Sequence, residues 1–261
     1  MDRNRDWPAQ PGSEQDYMVG GLPPNLEACA TPTGIPNLEI ICGPHDSSGV
    51  ADLAFHDKVR LLQKLRDLDA DYLILDLGAG TGVNTIDFFL YSDIGIVLIV
   101  PEPTSIENAY RFIRTMYYRT LSLSPRLKPV AELIRNAMDS KDAKGIHTPS
   151  ELFRAVSRAN PEAAMILKEE IRRICPMLIV NQARTQTDID IGFSVKSVCK
   201  KYFGIETDYV GYLDYDSSVW QAVRRKRPFM LEFPNSRLVS SVERISNFLV
   251  KRHGNQRTSV Y

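Results

Sequence analysis

The stretch Tyr72-Leu73-Ile74-Leu75-Asp76-Leu77-Gly78-Ala79-Gly80-Thr81-Gly82 is an apolar run that reaches a carboxylate and then passes into alternating glycines. Read as a buried parallel strand, it delivers Asp76 and a glycine turn to the strand's carboxyl end. Open α/β sheets bind ligands in the crevice beyond their strand ends, so a site is expected there. The bland reading is a buried strand followed by an ordinary glycine turn.

The bulk properties leave room for such a sheet. At 261 residues and 43% apolar composition, the chain is long enough to bury a sizeable core. Its 32 basic residues balance 32 acidic ones, so no overall field draws it to nucleic acid or anionic lipid, and such binding has to come from a local patch. The first eight residues lack the apolar core of a signal peptide, and the longest apolar run, 94–100, is too short to span a bilayer, so a cytoplasmic address is expected. Cys29, Cys42, Cys175 and Cys199 form no C-x-x-C pair, and His45, His56, His147 and His253 stand apart. Neither a zinc site nor a disulfide framework is expected, and the thiols are read as reduced.

Residues 1–30 carry Pro8, Pro11, Gly12, Gly20, Gly21, Pro23 and Pro24 with little periodicity and read as an irregular lead-in. Further on, short β-branched runs recur at 38–42, 72–76, 94–100, 177–181 and 209–213, separated by stretches of helical period. That alternation predicts an α/β fold with a mostly parallel sheet and helices on both faces, because strands buried on both sides read as continuous apolar runs. A single domain over 31–252 and a polar tail over 253–261 are expected. Thr104 with Glu107, and Thr148-Pro149 with Glu151, read as capping boxes, and Asn160-Pro161 repeats the cap-then-proline pattern. Residues 120–175 contain no strand-like run, which predicts a helical insertion. A further helix is expected from 188 to 203, stopping at Gly204. The last helix, 236–251, places Leu238, Val242, Ile245 and Leu249 on one stripe.

Two chemistries compete for the glycine segment. As Asp-x-Gly-x-Gly-x-Gly it resembles the first motif of S-adenosylmethionine-dependent methyltransferases. That reading needs an acidic residue at the end of the next strand, and Glu102 lies too far along, inside the rigid Pro101-Glu102-Pro103 turn. The other resemblance covers more of the chain. The run 71–80, then 94–109 with Pro101-Glu102-Pro103-Thr104, then Leu178-Ile179-Val180-Asn181-Gln182, then Gly211-Tyr212-Leu213-Asp214-Tyr215-Asp216 leading into Val219-Trp220-Gln221-Ala222, resembles in order and spacing the MinD/ParA-type P-loop ATPases, most closely their FlhG-like branch. It extends from about residue 33 to 249.

The resemblance implies roles residue by residue. Asp76 would be the catalytic strand-tip carboxylate that holds a hydrated magnesium ion through water, and Gly78, Ala79 and Gly80 a switch-like loop. Asn181 and Gln182 would face the nucleotide, with the Asn181 amide reading an adenine edge. Asp214 and Asp216 would close the base pocket, although Asp216 also reads as a helix cap and Pro is common where Asp214 stands. ATP and magnesium are the implied cofactors, and a homodimer or a partner protein the implied assembly. Arg224, Arg225, Lys226 and Arg227 would offer a weak DNA contact or a solvated helix end. The last helix resembles MinD's membrane-targeting end, but its stripe is accounted for by packing on the sheet, so peripheral membrane binding is not expected.

One departure governs the functional expectation. No G-x-x-x-x-G-K-[ST] occurs in these 261 residues, and the strand ending in an Asp-x-Asp-type turn is missing too, which reads as a P-loop fold incomplete at its N-terminal side with gaps in its sheet. Charge-assisted hydrogen bonds contribute about 1.5 to 3 kcal/mol each, so losing four from a phosphate cradle costs on the order of 6 kcal/mol. That is roughly four decades of affinity. The expectation is an ATP-binding protein of the cell-positioning class (flagellar, division-site or DNA-partitioning regulator) that binds nucleotide weakly and is not a competent ATPase alone. It is either a truncated relative or one acting through protein contacts. The alternatives are a nucleotide-independent interaction protein on the same scaffold and the methyltransferase.

Overall fold

The computed structural model describes residues 25–42, 55–138 and 148–257. Most of the expected lead-in and the last residues of the expected tail lie outside this range. The described residues fall into two compact units: those up to Tyr91 together with Val219–Glu232, and Ser92–Ser218 together with those from Phe233 onward.

The second unit is α/β. Its centre is a parallel sheet of three strands, β3 (Ile96–Ile99), β4 (Met177–Ala183) and β5 (Asp208–Asp214), with β4 in the middle. The short strands β1 (Thr31–Pro32) and β2 (Glu39–Ile40) belong to the first unit. Met177, Leu178, Ile179 and Val180 are all buried, as a strand covered on both faces requires. Ile96 pairs with Met177 and Ile99 with Val180, while β5 pairs Leu178 with Tyr209 and then skips to Gly211 opposite Ile179. Gly211 has φ 147°, a conformation glycine reaches without strain, so it accommodates this bulge.

Helices flank the sheet. α3 (Pro103–Leu123) packs on β3, α7 (Gln186–Val198) on β4 and β5, and α10 (Arg237–Arg257) on β5. Between β3 and β4 the described residues are helical: after α3 come a 3-10 segment (Pro125–Val130), α4 (Ala131–Met138), α5 (Pro149–Ala159) and α6 (Pro161–Arg172). Thr148 forms its capping box with Glu151, and Asn160 caps α6 through the Ala163 N–H. At α3 the expectation fails in detail. The helix starts at Pro103 with Glu102 as an N-cap that makes no side-chain cap bond, because Pro at the first position fixes φ and needs no donor. α7 starts under a box of Thr185 and Asp188 and ends in a π turn at Gly204, whose φ of 67° stops it. α10 runs past the expected end at residue 251 to Arg257.

Gly192 of α7 is required by close approach. A Cβ there would lie 2.3 Å from the Tyr209 ring, whose hydroxyl donates to the Ile189 carbonyl at 2.9 Å.

The first unit holds an antiparallel ladder of β1 (Thr31–Pro32) and β2 (Glu39–Ile40), the helices α1 (Phe55–Arg66) and α2 (Val83–Tyr91), and the short helices α8 (Val219–Arg224) and α9 (Phe229–Glu232). α1 and α2 are tied by a buried ion pair, Lys58 Nζ to Asp87 Oδ2 at 2.5 Å. The Arg66 guanidinium lies 4.4 Å over the Tyr91 ring.

Two expected strands are corrected here. The run 38–42 contributes only the two residues of β2, in an antiparallel ladder rather than a parallel sheet. The run 72–76 forms no strand, and Tyr72, Leu73 and Ile74 are exposed, Ile74 by 86%. An apolar run becomes a strand only where a neighbouring strand forms a ladder with it, and no such ladder forms at 72–76 among the described residues.

Two stability measurements follow. Gly192→Ala forces the Tyr209 ring to move and is expected to cost about 1–3 kcal/mol in urea denaturation. Asp87→Ala leaves the Lys58 ammonium buried without this partner and is expected to cost about 3–5 kcal/mol, whereas Lys58→Met with Asp87→Leu together costs far less.

Candidate functional site

A polar pocket of about 420 Å³ opens where β4 and β5 end. It is lined by Ala183 and Arg184, by Asp214, Tyr215 and Asp216, and by Ser236, Arg237 and Leu238. Three local turns build it. β4 ends in a distorted step: Gln182 has φ 60°, and its N–H donates to the Asn181 side-chain carbonyl at 3.0 Å. A non-glycine residue in this left-handed region is a strained feature of the kind that clusters near functional sites. After it the ladder resumes, Ala183 opposite Asp214, with the Tyr215 N–H donating to the Ala183 carbonyl at 2.9 Å. The chain then enters α7, whose Asp188 carboxylate accepts from the Arg184 and Thr185 N–H groups at 2.8 and 2.9 Å. Those two backbone donors hold the Asp188 carboxyl below the usual carboxylate range.

The opposite wall is set by Asp216. Its Oδ2 accepts from the Ser236 hydroxyl at 2.5 Å and its Oδ1 from the Ser218 N–H at 2.8 Å, which joins the end of β5 to the start of α10. The Ser236 hydroxyl first, and then the Ser218 N–H, keep the Asp216 carboxyl below its ordinary value. Ser236 also accepts from the Leu238 N–H at 3.1 Å, capping α10. Asp214 is anchored one turn further along α10, accepting from the Ser241 hydroxyl at 3.0 Å. The Arg184 guanidinium lies 3.8 Å over the Tyr215 ring, and both side chains are exposed. The pocket therefore offers two carboxylates already oriented by serines, two arginines and one aromatic face.

Of the residues singled out in the sequence, Asp214 and Asp216 line this pocket. Asn181 and Gln182 precede it on β4 but are not among its lining residues, and the Asn181 side-chain carbonyl accepts from the Gln182 N–H. Asp76, Gly78, Ala79 and Gly80 belong to the first unit, where all four are exposed. Asp76 stands at the end of a run that forms no strand rather than at a strand tip. Among the described residues no group of three or more His, Cys, Asp and Glu side chains gathers to hold a metal. Arg184, Tyr215, Ser236 and Arg237 were not singled out. Their signal was positional: each stands directly after a strand or opens the helix that follows.

No family model matches the chain, and no curated protein matches it significantly in sequence. Among the described residues no helix is long and apolar enough to cross a membrane.

The Asp216 geometry has a measurable consequence. A depressed folded-state value means that the group stabilises the fold above its unfolded pKa, near 3.8, and that this contribution is lost as pH falls through the lower folded value. Ser236→Ala is expected to move the Asp216 titration up toward 3.8, read by carboxyl carbon NMR, and to shift the acid limb of the stability profile to higher pH.

Proposed function

We propose that the chain is a MinD/ParA-like protein of the FlhG type, of the cell-positioning class, that retains the adenine side of a nucleotide site and lacks the phosphate cradle. The supporting observation is the pocket at the carboxyl ends of β4 and β5, built from the segment around 211–216 that the resemblance assigns to the base. The sheet adds to it, since the runs 94–100, 177–181 and 209–213 supply neighbouring parallel strands in that order.

In this reading a purine stacks in the region of Tyr215 and Arg184, and its exocyclic amine donates to the Asp216 or Asp214 carboxylate. Both carboxylates keep free lone pairs beside their serine bonds. Phosphates contribute little, because no glycine-rich loop with a lysine occurs in the sequence. No magnesium-dependent step is assigned, since Asp76 is an exposed carboxylate outside any strand. The nucleotide-independent interaction protein is the second reading, favoured by the apolar side chains left in water at Leu73, Ile74, Ile96 and Leu98.

Amide NMR titration tests the first reading. Adenosine and ATP are expected to shift the resonances of Arg184, Tyr215 and Arg237, with the two ligands within about tenfold of each other and half-saturation near or above ~10 mM. No shifts in the pocket at that concentration would remove the adenine side. Magnesium-dependent ATP hydrolysis would restore a working phosphate site, and micromolar S-adenosylmethionine binding would turn the assignment to a methyltransferase.

A further inference from the structure

The chain is neutral as a whole, yet the segment Val219–Glu232 sets Arg224, Arg225, Lys226 and Arg227 side by side against Glu232 as its single carboxylate. Arg225 pairs with Glu232, and Arg227 approaches it at 3.6 Å, so one acid is shared by two of the four cations. All four are exposed. Beside them stand apolar side chains that the fold leaves in water: Trp220 is 53% exposed, Val223 70% and Leu231 66%, with Met230 exposed as well. The spacing explains the arrangement. Ala222 points inward and is buried, which turns Trp220 and Val223 outward together, three residues apart on α8. Arg224, four residues after Trp220, lies 5.3 Å over the indole ring.

We propose that this α8–α9 face docks on an anionic lipid surface. Cations alone would suit a nucleic-acid backbone, but a phosphate backbone gives no place to Val223, Met230 and Leu231. A bilayer interface takes both halves of the patch: the indole at headgroup depth, the aliphatic side chains just beneath it, and the guanidinium and ammonium groups among anionic headgroups. Each basic residue near an anionic surface raises partitioning about fivefold, and the effect decays within a Debye length. Arg224 and Lys226, the two not engaged by Glu232, therefore dominate the electrostatic part. This inference does not depend on the nucleotide reading, because it uses neither the pocket nor the sheet.

The experiment uses the full chain carrying Trp7→Phe, which leaves Trp220 as the reporter of the two tryptophans. Vesicles of phosphatidylcholine with and without phosphatidylglycerol are the probe. Expected are co-sedimentation with the anionic vesicles alone, release by salt, a blue shift of Trp220 emission and its quenching by brominated acyl chains. Arg224→Glu with Lys226→Glu is expected to lower partitioning by at least tenfold with an unchanged circular dichroism spectrum, and Leu231→Ser to reduce the blue shift. Binding without any change in Trp220 emission would overturn the proposal, as would equal binding to neutral vesicles or none to either. Duplex DNA or an acidic peptide displacing the vesicles from Trp220 would assign the patch to that partner instead.

Discussion

Burial of β4 on both faces is the constraint from which the α/β unit follows. Leu178 and Val180 have no solvent exposure, so their backbone amides and carbonyls have no water to bond and need a strand on each side. β3 and β5 meet that need, and α3, α7 and α10 cover what the strands leave apolar. The pocket exists because the constraint runs out. At Asn181 and Gln182 burial falls, the ladder skips, and beyond Ala183 the backbone donors are taken over by helix caps and carboxylates. A polar pocket is the natural product of a buried strand coming to its end between two helix starts.

The electrostatics of that pocket are balanced rather than biased. Asp214 and Asp216 face Arg184 and Arg237, and the acids are fixed by Ser241 and Ser236 before any ligand arrives. Preorganised acceptors cost little to present, which suits recognition of a donor-bearing planar group. They do nothing for a triphosphate, which would meet two carboxylates of its own sign. Under the proposed reading, base recognition and phosphate recognition are therefore separable.

The strands of the second unit were legible in the sequence because their runs are apolar without interruption, and so were the caps at Thr148 and Asn160, because capping is decided within a few residues. The run 72–76 looked equally strand-like and forms none. Apolar periodicity records what a segment can bury, whereas pairing depends on a neighbour elsewhere in the chain, and no local pattern reports whether that neighbour is there. The site divides the same way. Asp214 and Asp216 were reached through the resemblance of their segment, with Asp216 also read as a helix cap. Tyr215 and Arg184 acquire meaning only through a stacking contact between residues thirty-one positions apart, and Arg237 only because Ser236 ties α10 to Asp216.

An exposed apolar run would be expected to seek any open sheet edge, and the described residues carry both parts of that hazard, the exposed side chains at 72–74 and the edge strand β3 with Leu98 57% exposed. The flanking residues counter it. Asp69, Asp71 and Asp76 bracket the run, so a second strand stacking in register would bring like charges together at the usual strand spacing of about 4.8 Å. β3 is preceded by Asp93 and followed by Pro101, Glu102 and Pro103, which shorten the edge and remove two donors beyond it. The same residues that looked, in the sequence, like parts of a metal site and a rigid turn thus have a sufficient role in shielding, each within its own unit, a segment prone to self-association. For Asp76 that role requires only a charge beside an exposed Ile74, and the structure supplies both.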